Sequence, residues 1–61
     1  MTPAAAGELA RASAWLMGVV YLVLGAGEAL VGVANLGKRH WVVPLALVHL
    51  SGGAALYRAA T

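Results

Sequence analysis

The stretch AWLMGVVYLVLGAGEALVGVANL, residues 14–36, decides the fold. It holds one acid, Glu28, and no base. A helix crosses the hydrocarbon of a bilayer with about 20 predominantly apolar residues, so this run reads as a transmembrane helix. A second run, WVVPLALVHLSGGAALYRAA, fills residues 41–60. Its Pro44 falls in the first turn, where the missing N–H costs little. Between the two lies GKRH, residues 37–40, the only concentrated charge in the chain. Three basic residues in a row belong at headgroup level rather than in hydrocarbon. Two spans joined by so short a connection must be antiparallel neighbours. The expected fold is therefore an all-α membrane protein, an antiparallel hairpin of two transmembrane helices with a short basic turn. Asn35, Leu36 and Gly37 form the expected stop of the first helix, with Gly37 in the left-handed conformation past its last turn.

Outward from the first span, residues 1–13 are small and weakly polar. Thr2 followed by Pro3 suits a helix start, with Thr as cap and Pro in the first turn. Glu8 and Arg11, three apart, are placed to pair on one helix face. This segment reads as a surface-lying or protruding approach to the first span. Trp15, Trp41 and Tyr57 stand where aromatic belt residues anchor spans at the interface, with Lys38, Arg39 and Arg58 as flanking charges. The basic residues divide evenly, Lys38 and Arg39 at the turn against Arg11 and Arg58 at the other side. Their contiguity favours a cytoplasmic turn. The apolar run continues past Gly25-Ala26-Gly27, which argues against a cleaved signal peptide.

Composition agrees with this frame. The chain has 61 residues, 62% apolar and 10% charged, whereas soluble domains are roughly 45–50% apolar and 25% charged. Too few polar side chains exist to cover a core, so lipid is the solvent that suits the chain. There is no cysteine, which excludes disulfides and thiolate metal sites. Four bases in three places make no phosphate-tracking stripe, so nucleic acid is not an expected partner. No nucleophile–base–orienter set and no phosphate-cradling loop is present, so the chain is not expected to be an enzyme by itself.

Two constellations remain. Gly18, Gly25 and Gly32 recur every seven residues and fall on one stripe of the first helix, which Ala14 and Ala29 extend. Small residues let helices approach closely in lipid. Ser51, Gly52, Gly53, Ala54 and Ala55 supply the expected answering surface. If the chain reverses near residue 38.5, Gly25 is level with Gly52 and Glu28 with His49. The latter two are the deep ionisable groups of the chain, about 14 Å below the headgroups at 1.5 Å per residue.

An unpaired ionisable group at mid-membrane costs about 2.5–3.5 kcal/mol or more; a Glu28–His49 hydrogen bond relieves both. Three roles are open to the pair. It pins the hairpin register, it bonds across an interface to a partner subunit, or it acts on a proton, a quinone, a haem or a pigment. No cofactor is required by the sequence, but His49 could ligate a haem iron or a chlorophyll-type magnesium, and bound lipid is expected. The expected function is a small accessory subunit of a larger integral membrane complex, respiratory or photosynthetic and engaged in electron transport, in a bacterial inner membrane. Its partners are larger membrane subunits and the bilayer. The alternatives are a cofactor-binding subunit with His49 as axial ligand, a homo-oligomeric proton path, or a regulatory micro-peptide using Glu28.

Overall fold

The computed structural model describes every residue, Met1–Thr61, and is all-helical. Helix α1 runs from Pro3 to Ala34, α2 is a single turn from Leu36 to Arg39, and α3 runs from Val42 to Ala60. Thr2 caps α1: its extended backbone turns its Oγ1 toward the Ala5 N–H, which donates at 3.1 Å, and Pro3 takes the first helical position. That bond satisfies one of the donors a helix start leaves free. Residues 3–13 continue into the apolar run without a break, so the polar approach and the first span are one helix.

The connection differs from the expected four-residue turn. No glycine has a positive φ, so Gly37 is not left-handed. The chain breaks at Asn35 instead, whose backbone leaves the helical region at φ −128°, ψ 42°. Both its backbone N–H and its side-chain Nδ2 donate to the Val31 carbonyl, at 3.1 and 3.0 Å. Asn35 in turn accepts from Lys38 and Arg39 N–H, at 3.0 and 2.7 Å. Asparagine thus performs the stop expected of glycine, using a side-chain donor that glycine lacks. The basic residues ride on the helical turn α2, and Trp41 is the N-cap of α3.

Helices α1 and α3 touch along their length, and the contacts run in antiparallel order. Gly18 meets Gly53 and Tyr57, Gly25 meets Leu50, and Gly32 meets Val43. The molecule is a thin rod, 52 × 14 × 12 Å. Near its N-terminus α1 passes Ala60, which sits beside Arg11, Ala12 and Trp15, so the first turns of α1 project beyond the end of α3.

The seam between the helices is built from small residues on both sides. On α1 the buried positions are Gly18, Gly25 and Gly32; on α3 they are Val42, Ala46, Gly53 and Ala60. Ala46, Gly53 and Ala60 are themselves spaced by seven, matching the glycine repeat opposite. A seven-residue repeat held on both helices keeps one stripe of each in contact. The expected answering surface is corrected in part: Gly53 is buried and Gly52 partly so, but Ser51, Ala54 and Ala55 are exposed. Gly25 does not face Gly52 either. Depth alone does not decide facing. At about 100° per residue, Gly52 lies a quarter-turn or more off the Ala46–Gly53–Ala60 stripe, and it lies under the ring of Tyr21 instead.

Almost everything else faces outward. Seven residues of 61 are buried, and the accessible surface is 4431 Å². A compact globule of this mass would expose about 3,700 Å². The excess is apolar: Leu30 is 74% exposed and Val23 and Val33 each 67%. Both α1 and α3 are long and apolar enough to cross a membrane.

Candidate functional site

The seam brings together one polar pair. Nδ1 of His49 lies 2.5 Å from Oε1 of Glu28, across the two helices. Glu28 follows buried Gly25 by three residues, and His49 follows buried Ala46 by three. Each therefore leaves its stripe on the same side of the pair, and the two side chains reach across its edge rather than through its middle. Their side chains retain 22% and 24% exposure. Glu28 lies six residues before the end of α1 and His49 seven after the start of α3, so the pair sits about 10 Å along the axis from the turn.

Tyr21 completes the cluster. Its ring meets that of His49 edge-on, with centroids 5.3 Å apart and planes at 84°. Tyr21 and Glu28 are seven residues apart on α1, so His49 sits between two side chains of one α1 stripe. Its hydroxyl takes no partner within the chain. Edge-on contact of this kind is worth about 0.5–1.5 kcal/mol beyond area burial and fixes the imidazole plane.

The pair uses one atom from each partner. Glu28 Oε2 and His49 Nε2 make no hydrogen bond, and no side-chain nitrogen or oxygen that lacks a partner is buried. Both atoms therefore open onto the outside of the helix pair. Glu28 borders a shallow apolar groove on this side, walled by Val23, Leu24 and Val31 of α1 and by Trp41, Val42 and Leu45 of α3. His49 stands one turn beyond Leu45 on the same side of α3.

The other sequence-predicted residues take these places. Ala29 is partly buried beside the seam. Trp15 and Tyr57 meet at the end of the rod away from the turn, ring centroids 6.5 Å apart, and Trp41 is at the turn end, 61% exposed. Lys38, Arg39 and Arg58 are exposed, as is His40. Glu8 and Arg11 form no ion pair; the one ion-pair contact in the chain is Glu28–His49. No group of three or more His, Cys, Asp or Glu is placed to hold a metal ion.

Three features were missed at the sequence level. The Ala46–Gly53–Ala60 repeat was visible as a second seven-residue period. The Tyr21–Glu28 spacing, again seven, marked the flanks of His49. The groove beside Glu28 had no sequence signal, since its walls come from both helices.

Comparison of the chain with protein-family models, with curated proteins and with solved structures gave no match.

Proposed function

We infer that this chain is a two-helix transmembrane hairpin and serves as a small accessory subunit on the flank of a larger integral membrane complex. The observation that carries the reading is the surface. Apolar side chains are turned outward along both helices, while the inside is only a line of glycine and alanine with Val42 at the turn end. Such an object has no interior in which to run a reaction. It has a wide, water-averse exterior suited to filling a gap between other helices and lipid. The outward-facing Glu28 and His49 atoms supply a polar contact within that exterior, of the kind that fixes register between membrane helices. We place the host among energy-transducing complexes of a bacterial inner membrane, respiratory or photosynthetic.

The test is copurification. Tagged at its C-terminus and extracted in mild detergent from its native membranes, the chain is expected to elute with larger membrane subunits in fixed stoichiometry. Its deletion is expected to lower the amount of assembled complex. Recovery of the chain in the aqueous fraction without detergent would refute the membrane reading. Detergent extraction with no larger companion would refute the accessory role alone.

A second reading is favoured by one observation. With Nδ1 held by a carboxylate, His49 is oriented as metal-ligating histidines are, and Nε2 is free to serve as axial ligand to a haem or a chlorophyll-type pigment. It requires Nε2 to be unprotonated and predicts a visible absorption band that His49→Ala removes; an unchanged spectrum would end it.

A further inference from the structure

We propose that the groove beside Glu28 receives a second copy of this chain, closing a four-membered hydrogen-bond ring Glu28–His49–Glu28–His49 around a two-fold axis. This rests on the membrane-hairpin reading.

The argument begins with proton count. In hydrocarbon, a pair without net charge is strongly preferred to one that carries it. The Glu28–His49 pair has three proton arrangements without net charge. In two, Nε2–H is a donor and Oε2 an acceptor, with the proton between Nδ1 and Oε1 on either atom; in the third, the acid proton is on Oε2, Nδ1–H donates to Oε1 and Nε2 is the acceptor. Nε2 and Oε2 are the two atoms that open outward without a partner. In all three arrangements, the outer face of the pair offers one donor and one acceptor side by side.

A face with one donor beside one acceptor is its own complement. A two-fold axis parallel to the helices, in front of this face, keeps both copies in the same orientation in the membrane. It sets α1 of one copy opposite α3 of the other, with Glu28 facing the other copy's His49 at equal depth. Each Nε2 then pairs with the opposite Oε2, Nε2–H donating in the first two arrangements and Oε2–H in the third. All four side chains are satisfied without water or another protein, and the interface is isologous. The walls suit this occupant: Val23, Leu24, Val31 and Leu45 are apolar. The result is a four-helix unit with a polar ring at its centre.

The chain's lack of cysteine allows a direct test. Leu24→Cys lies on the wall of the groove. Ala26→Cys is at nearly the same depth but about 200° round the helix, facing away. Each purified full chain is reconstituted into phospholipid vesicles at high lipid-to-protein ratio and treated with a flexible bismaleimide. Leu24→Cys is expected to give a product of twice 6.2 kDa, at least tenfold more than Ala26→Cys. Adding Glu28→Leu or His49→Leu is expected to reduce that product at least tenfold. The wild-type mass in mild detergent, read by native mass spectrometry, is expected to be that of two chains, which keeps the test independent of whether the leucine variants fold. A wild-type monomer, equal cross-linking from both cysteine positions, or full cross-linking in the leucine variants would each overturn the ring. A chain that enters vesicles but stays monomeric refutes the ring and leaves the hairpin standing. One that never enters them refutes both.

Discussion

Adding a single methyl group at Gly18 should separate the two long helices. An added Cβ there would lie 2.9 Å from the Tyr57 nitrogen, 3.0 Å from the Gly53 carbonyl oxygen and 3.2 Å from the Tyr57 Cα. All three are backbone atoms, so no side chain can swing away. Ordinary van der Waals contact starts near 3.4 Å, so α1 and α3 must part locally by about 0.5 Å. A gap of that size already forfeits roughly a quarter of each neighbouring dispersion contact, and overpacking of this kind costs about 1–3 kcal/mol. Alanine's better helix propensity does not offset it, because in lipid or detergent both the packed and the separated states are helical. We therefore expect Gly18→Ala to weaken the α1–α3 association roughly 5- to 150-fold. Gly53→Ala, whose Cβ would meet the Gly18 carbonyl and the Leu22 nitrogen at 2.9 Å, should behave alike. Gly27→Ala, with nothing within 4 Å, should stay within about 0.5 kcal/mol of wild type. The assay is an SDS titration in mixed micelles, followed by the fluorescence of Trp15, which abuts Tyr57, in a Trp41→Phe background. Identical midpoints for Gly18→Ala and Gly27→Ala would refute the claim that a backbone-on-backbone seam holds the helices.

Other outcomes follow from the same geometry. Glu28→Ala and His49→Ala should be non-additive in the same titration, with a coupling of about 0.6–1.7 kcal/mol; independent effects would mean the side chains do not meet. Gly37→Ala should be neutral or slightly stabilising, because α2 is helical there and no positive φ is needed; a loss near 1 kcal/mol would restore the left-handed turn. Thr2→Ala should cost about 1 kcal/mol of local stability at the start of α1, seen as faster amide exchange at Ala5, whose N–H donates to Thr2 Oγ1. Unchanged exchange at that amide would show that the cap contributes nothing.

The helices themselves were legible in the sequence because each is a long apolar run with few charges, and both are long and apolar enough to cross a membrane. The glycine stripe of α1 was legible because a period of seven needs no knowledge of the partner helix. The stop was legible as a region, Asn35 to Gly37, but not its mechanism. Glycine is the usual residue past a helix end, which points to Gly37, but asparagine closes this helix by giving two donors to the Val31 carbonyl. With Asn35 as the stop, Gly37 falls inside a helical turn, and the link between α1 and α3 lengthens to Asn35–Trp41.

Depth was readable and azimuth was not, and the contrast between Gly25 and Glu28 shows why. Both were matched to partners by depth alone. A glycine has no reach, so its neighbour is whatever lies directly opposite, which is Leu50, side chain and backbone nitrogen, and not Gly52. Glutamate and histidine carry long side chains that span such an offset, so equal depth on the same side of the seam is enough to bring Oε1 and Nδ1 together. The glycines make that meeting possible by drawing the helices close, and they also displace the pair: Leu50, Val43 and Leu22 already press on the seam glycines, which leaves no room for an imidazole between the backbones. The polar groups lie at the edge, where Oε2 and Nε2 face out of the molecule. The close packing that holds the two helices together is thus also what leaves the pair incomplete within a single chain.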